Sequence, residues 1–154
     1  MKISSVDPGL TGAGAFIVDG TPENVFDMPQ TGGKLVDFVK LTEIIISCAP
    51  DVGVIEQVHA SPGAGVSGMF YFGANFGGPI GIFAGLGIPL HQITPQKWKT
   101  IHGLIGKPKD AARLLAIKKF PEWKDTFKLK KSVDKCDALL MGLAWLKLYG
   151  DREI

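Results

Sequence analysis

Short apolar runs punctuate the first sixty residues, and polar or glycine-rich turns separate them. KISSV at 2–6 reads as a buried strand, and GAFIV at 14–18 as a second, joined to it by the turn DPGLTGA. Asn24 to Met28 is consistent with a third strand. Between Lys34 and Cys48 the period changes. Leu35, Phe38, Val39, Leu41, Ile45 and Ile46 recur near the 3.6-residue helical repeat, and Pro50 closes the segment. Val52 to Val58 is again a compact apolar run, which predicts a central strand. The order β-β-β-α-β points to an α/β domain with a mixed sheet flanked by helices.

From Gln57 to Gln96 no Asp, Glu, Lys or Arg occurs. Its apolar part, VSGMFYFGANFGGPIGIFAGLG, is long enough to span a membrane, but Asn75, Pro79 and the many glycines argue against that. Gly73, Gly77, Gly81 and Gly85 recur every four residues and form one smooth stripe on a helix. The segment predicts a helix packed on the sheet or on a dimer partner, kinked or broken at Pro79. Phe70, Tyr71 and Phe72 read as core or interface aromatics, with base stacking as the alternative. Ile88 to Ile93 predicts another strand. Thr94-Pro95 marks a helix start, GLIGKPK at 103–109 a basic turn, and Lys109 to Phe120 a helix ended by Pro121. Residues 122–132 are polar and lysine-rich. Val133 to Tyr149 predicts the last helix, with Ser132 as its cap. No repeat or linker divides the chain, so residues 1–154 are read as one domain.

Net charge is +2, but the balance is uneven. Residues 97–131 carry ten lysines and Arg113 against three acids, whereas residues 1–96 carry three lysines against eight acids. A basic block beside acidic flanks suits a polyanion-facing surface or a solvated lysine-rich face. The two cysteines, Cys48 and Cys136, fit a reducing compartment and no disulfide framework, which places the protein in the cytoplasm.

Four carboxylates then stand out. Asp7 ends the first strand ahead of Pro8-Gly9. Glu56 lies inside the apolar run VGVIEQV, where an unpartnered charge would be costly. Asp134 and Asp137, in SVDKCDALLMG, share one face of a helix start, a position that also suits acids simply for the helix dipole. A strand-borne pair plus a late-helix pair can hold hard cations such as Mg²⁺. Two such ions could support in-line phosphoryl displacement.

VDPG at 6–9, VIEQV at 54–58 and DKCDALLMG at 134–142 resemble the signature segments of RuvC-type Holliday junction resolvases, of the RNase H-like (retroviral integrase) superfamily. The resemblance runs along nearly the whole chain, including PQKWKTIHGLIGKPKDAAR. It implies an RNase H-like fold with a five-stranded mixed sheet. It also implies a homodimeric, Mg²⁺-dependent endonuclease, with Mn²⁺ able to substitute, that cuts four-way DNA junctions in recombination and repair. Asp7, Glu56, Asp134 and Asp137 would be its catalytic, metal-binding carboxylates. Lys97, Lys99, Lys107, Lys109, Arg113 and His59 would contact DNA. His59 stands where bacterial members carry an aromatic residue, in the glycine-rich loop HASPGAGVSG. The chain looks like a compact, phage-encoded member, acting in the host cytoplasm. Three alternatives stay open: a less selective nuclease of flaps and forks, a non-catalytic DNA-binding module, and an ATP-binding lobe whose phosphate loop DPGLTG would be.

Overall fold

The computed structural model describes residues 1–60, 63 and 65–150. Ser61, Pro62 and Ala64 of the glycine-rich loop lie outside the described residues, as do residues 151–154. Strands β1 (Lys2–Asp7), β2 (Ala13–Val18) and β3 (Thr21–Asp27) form an antiparallel meander. Helix α1 (Phe38–Cys48) leads to β4 (Val52–Glu56), which pairs parallel to β1. Helix α2 (Val66–Gly85) leads to β5 (Leu90–Ile93), parallel to β4. The mixed sheet therefore runs β3-β2-β1-β4-β5. Helices α3 (Pro95–Ile101), α4 (Ala111–Lys119), α5 (Lys124–Phe127) and α6 (Val133–Tyr149) follow.

Two cores divide along the pleat, because successive strand residues face opposite sides. Ile3, Ala15, Ile17, Val52 and Val54 face α6, with Trp98, Phe127, Leu139, Leu140 and Trp145 behind them. Val6 and Ile55 face the other way, onto Leu41 and Ile45 of α1 and Phe83 of α2.

Most expected elements are present, with shifted ends. Helix α1 begins at Phe38 and not at Lys34. The Asp37 side chain caps it by accepting from the Lys40 amide, at 2.9 Å. The residues before the cap are held by Asn75 of α2: its Oδ1 accepts from the Val36 amide and its Nδ2 donates to the Lys34 carbonyl, both at 2.9 Å. Helix α2 runs through Pro79 without a break. Its inward face is Asn75, Pro79 and Phe83, so the stripe of Gly73, Gly77, Gly81 and Gly85 is not packed on the sheet. The polar stretch 122–132 is not plain loop. Helix α5 and two flanking single turns form there because Phe127 is fully buried. Thr94 caps α3 as expected; Ser132 holds the N-cap position of α6, but its hydroxyl donates to the Thr126 carbonyl and makes no cap bond to the helix. Among the described residues no helix is long and apolar enough to cross a membrane.

Candidate active site

The pleat decides where Asp7 and Glu56 point. Asp7 shares the parity of Ile3 and Ser5, and Glu56 that of Val52 and Val54, so both carboxylates face α6. The register that pairs Val6 with Ile55 brings the two acids side by side at the carboxyl ends of adjacent parallel strands. That end of a parallel pair is where open α/β sheets place their ligands. Asp7 then enters a tight turn closed by the Gly12 amide donating to the Gly9 carbonyl at 3.1 Å. A Cβ at Gly12 would lie 2.1 Å from the carbonyl oxygen of Asp7. This glycine is therefore required by the turn itself.

Helix α6 supplies the other pair. Asp134 lies in its first turn and Asp137 three residues on, the spacing that puts both on one face. The helix can lie this close to the sheet because Gly142 has no side chain: a Cβ there would meet Ile17 Cδ1 at 2.5 Å and Ser5 Cβ at 2.9 Å. Lys135 ties the same turn to β3 through Asp27, at 2.8 Å.

The four acids act on one another. Asp7 is pushed up to about 8 by burial first, then by the negative charges of Glu56, Asp137 and Asp134, with Lys109 pulling the other way. Asp137 is pushed up to about 7, again by burial first. Lys99 opposes that shift, while Glu56 and Asp134 add to it. Asp137 Oδ1 is buried and has no hydrogen-bond partner among the described residues. Glu56 Oε1 accepts from the indole N–H of Trp98 at 2.8 Å, and Asp134 Oδ1 lies 4.0 Å from Lys109 Nζ. Among the described residues no three His, Cys, Asp or Glu side chains form a ready-made metal cage. The donor set is nonetheless right for a hard divalent cation: carboxylate oxygens only, one of them orphaned and buried.

Beside the acids opens a cleft of about 370 Å³, into which Lys99, Lys107, Lys109 and Asp137 all project. This gathers three of the expected DNA-contact residues around one of the carboxylates. The other three lie elsewhere. Arg113 donates to both Asp110 oxygens, at 2.7 and 2.8 Å, and to the carbonyls of Phe127 and Lys128, at 3.1 and 3.2 Å. Its side chain is only 12% exposed, and the bonds to the two carbonyls tie α4 to the end of α5 and the residue after it. Lys97 binds the Tyr149 hydroxyl and lies over its ring, 5.0 Å from the centroid. His59 is exposed, beside the part of its loop that is not described.

His102 donates its ring Nε2–H to the Leu140 carbonyl at 2.7 Å and is thus a satisfied, half-buried histidine. Cys136 is fully buried in the α6-side core. Phe70 is 72% exposed, which excludes the core for it. Sequence reasoning missed Trp98, which is buried yet presents its N–H to Glu56. The available signal was a tryptophan in the first turn after a Thr-Pro helix start, where a polar partner for a buried N–H is expected.

No protein-family model and no curated protein matches the sequence. Solved structures do match. Thermus thermophilus RuvC in complex with a Holliday junction substrate superposes with a TM-score of 0.63, at 14% identity, over 97% of this chain and 96% of that one. The fowlpox virus Holliday junction resolvase gives 0.63 at 20% identity, over 96% of this chain and 99% of that one. At this identity the likeness is one of fold. The chain shares the fold of these two structures over nearly its whole length, a five-stranded mixed sheet flanked by helices, as the sequence motifs imply.

Proposed function

We propose that this protein is a Mg²⁺-dependent endodeoxyribonuclease that cuts four-way DNA junctions as a homodimer. One observation carries the reading: four acids from β1, β4 and α6 converge at one sheet end, beside a lysine-lined cleft, on the fold of two junction resolvases. Asp7, Glu56, Asp134 and Asp137 are the residues that would hold two divalent ions. When bound, such ions supply a nucleophilic water and neutralise charge on the phosphate in an in-line displacement. The chain's own part is positioning. Trp98 fixes one oxygen of Glu56 by donating its indole N–H to it. Gly142 and the Lys135–Asp27 pair set the depth and rotation of α6, and with them Asp134 and Asp137. Lys99, Lys107 and Lys109 attract the phosphate backbone without reading bases.

Paired cuts across a junction need two sites related by a two-fold axis. The outer face of α2 supports a second copy there: Val66 is 89% exposed, and a Cβ at Gly73, Gly77, Gly81 or Gly85 would meet nothing within 4 Å. His59, an exposed imidazole where bacterial members carry an aromatic, favours a second reading as a less selective branched-DNA nuclease.

Cleavage of a four-way junction, a Y-fork, a linear duplex and an RNA–DNA hybrid, each with Mg²⁺ and with chelator, tests the proposal. Symmetric paired nicks confined to the junction and lost in chelator are expected. Equal cutting of forks selects the second reading. Absence of cutting on every substrate removes the nuclease altogether.

A further inference from the structure

The basic block does not end at the carboxylate cleft. A second cleft, of about 400 Å³, opens at the far end of the sheet, beside Gly20 of the β2–β3 hairpin. Lys2 at the start of β1 pairs with Val18 there, whereas Asp7 ends the same strand, roughly 17 Å away at strand rise. Along α6, Lys147 stands ten residues beyond Asp137, about 15 Å at helical rise. Ile101, Phe120 and Leu143 give the cleft an apolar wall, and Lys119, Lys147 and His102 its polar groups. No acid lines it. Neither lysine is in an ion pair among the described residues.

Two ammonium groups that line one cleft with no carboxylate among the described residues repel each other, and an anion between them removes that repulsion. More than one negative charge is called for. A phosphate monoester supplies it, and so do two neighbouring phosphodiesters of a strand. We propose that this cleft is a phosphate-binding site, in which Lys119 and Lys147 hold the phosphate and Phe120 the apolar part of its ester. The site is separate from the carboxylate cluster and does not depend on the nuclease reading.

His102 reports on the site. Burial first, then the charges of Lys119 and Lys147, hold its imidazole below the ordinary 6.5, while the Leu140 carbonyl pulls the other way. An anion seated between the lysines cancels their contribution, so protonation becomes easier and Nδ1 gains a proton to donate.

The test follows the His102 ring by NMR across a pH titration of the full chain, with His102→Gln identifying the signal. The probes are inorganic phosphate, a deoxynucleoside monophosphate and a DNA duplex lacking terminal phosphates. A rise in the His102 midpoint with at least one probe, lost in Lys119→Gln/Lys147→Gln, is the expected result. A response to the small phosphates assigns the site to a free phosphate ester. A response to the duplex alone assigns it to a strand backbone, and the double variant then lowers the slope of log affinity against log salt by about one to two. No midpoint change with any probe, or an equal change in the double variant, overturns the proposal. Both lysines are exposed, so the variant is expected to fold, and Lys119→Gln alone gives a second, milder reading of the same response.

Discussion

Glycine is used in opposite ways in α6 and along the outer stripe of α2. On the α6 face, Gly142 is a point of contact: any side chain there would strike Ile17 and Ser5. On the other face, a Cβ added at Gly73, Gly77, Gly81 or Gly85 of α2 would meet nothing within 4 Å among the described residues, and Val66 and Phe70 beside them are exposed. The first face is complete within one chain, and its closeness of fit is what sets two acids of α6 over two acids of the strands. The second is smooth, apolar and open, as a surface kept for another backbone would be. The difference teaches that glycines in helices of one chain can serve internal fit or external approach, and only the surroundings tell which.

The largest expected effect tests what the α6 face is for. Asp7→Asn keeps the size of the side chain and removes one ligand charge. Losing a residue that merely supports a metal ligand typically costs ~10–100-fold, so loss of a ligand should exceed about 100-fold in cleavage rate. Junction affinity should be nearly unchanged, since Lys99, Lys107 and Lys109 remain. Gel-shift and cleavage assays on the same junction measure both, and joint loss would make Asp7 a residue of the fold.

A matched pair of substitutions comes next. Gly142→Val overfills the α6–sheet contact and should cost about 2–3 kcal/mol in denaturant unfolding. Gly77→Val meets no neighbour within its own chain and should leave monomer stability within about 0.5 kcal/mol. If a second copy covers α2, sedimentation should show Gly77→Val moving from dimer to monomer and losing paired cuts. An unchanged dimer would move the interface off this stripe.

The acids also give the α6 face a pH signature. In the unfolded chain Asp7 and Asp137 ionise near 3.8, but in the fold only near 8 and 7. Between about pH 4 and pH 8 the folded state keeps protons that the unfolded state releases. Stability in chelator therefore falls as pH rises through that window. Asp7→Asn should raise Tm in chelator by about 5 °C at pH 8 and by nothing near pH 3, where both states are protonated. Added Mg²⁺ should stabilise the native chain most at the high-pH end. Scanning calorimetry at four pH values is sufficient, and a flat profile would mean that the acids do not share a site.

Much of this was readable along the chain, and the failures have physical causes. The strand parity that aims Asp7 and Glu56 at one face follows from alternation alone, and α6 has the bounds its apolar pattern predicts. The apolar period puts the start of α1 at Lys34, four residues early, because the restraint on Lys34 and Val36 comes from Asn75, about forty residues away. The polar run 122–132 concealed Phe127, one buried ring among lysines, which no local pattern reveals. Arg113 reads as a DNA contact from its basic neighbourhood, yet its donors are taken by Asp110 and two carbonyls. For Lys34, Val36 and Phe127 the deciding partner is distant in sequence; for Arg113 it is partly local, since Asp110 lies three residues before it.

The smallest predicted effect concerns Trp98, whose contribution has two separable parts. Its ring is buried in the α6-side core, and its N–H fixes Glu56. Trp98→Phe retains most of the buried ring and removes the donor. The lost hydrogen bond to a carboxylate should cost about 1–2 kcal/mol, in addition to a small packing term. Because Trp98 acts through Glu56, cleavage should fall by about tenfold, well short of the effect at Asp7. A structural role alone predicts lower stability with the cleavage rate per folded molecule intact. A positioning role predicts a slower rate at saturating Mg²⁺ and a higher Mg²⁺ requirement. Measuring rate against Mg²⁺ concentration at a temperature where both proteins are fully folded separates the two, and an unchanged Mg²⁺ curve would reduce Trp98 to packing.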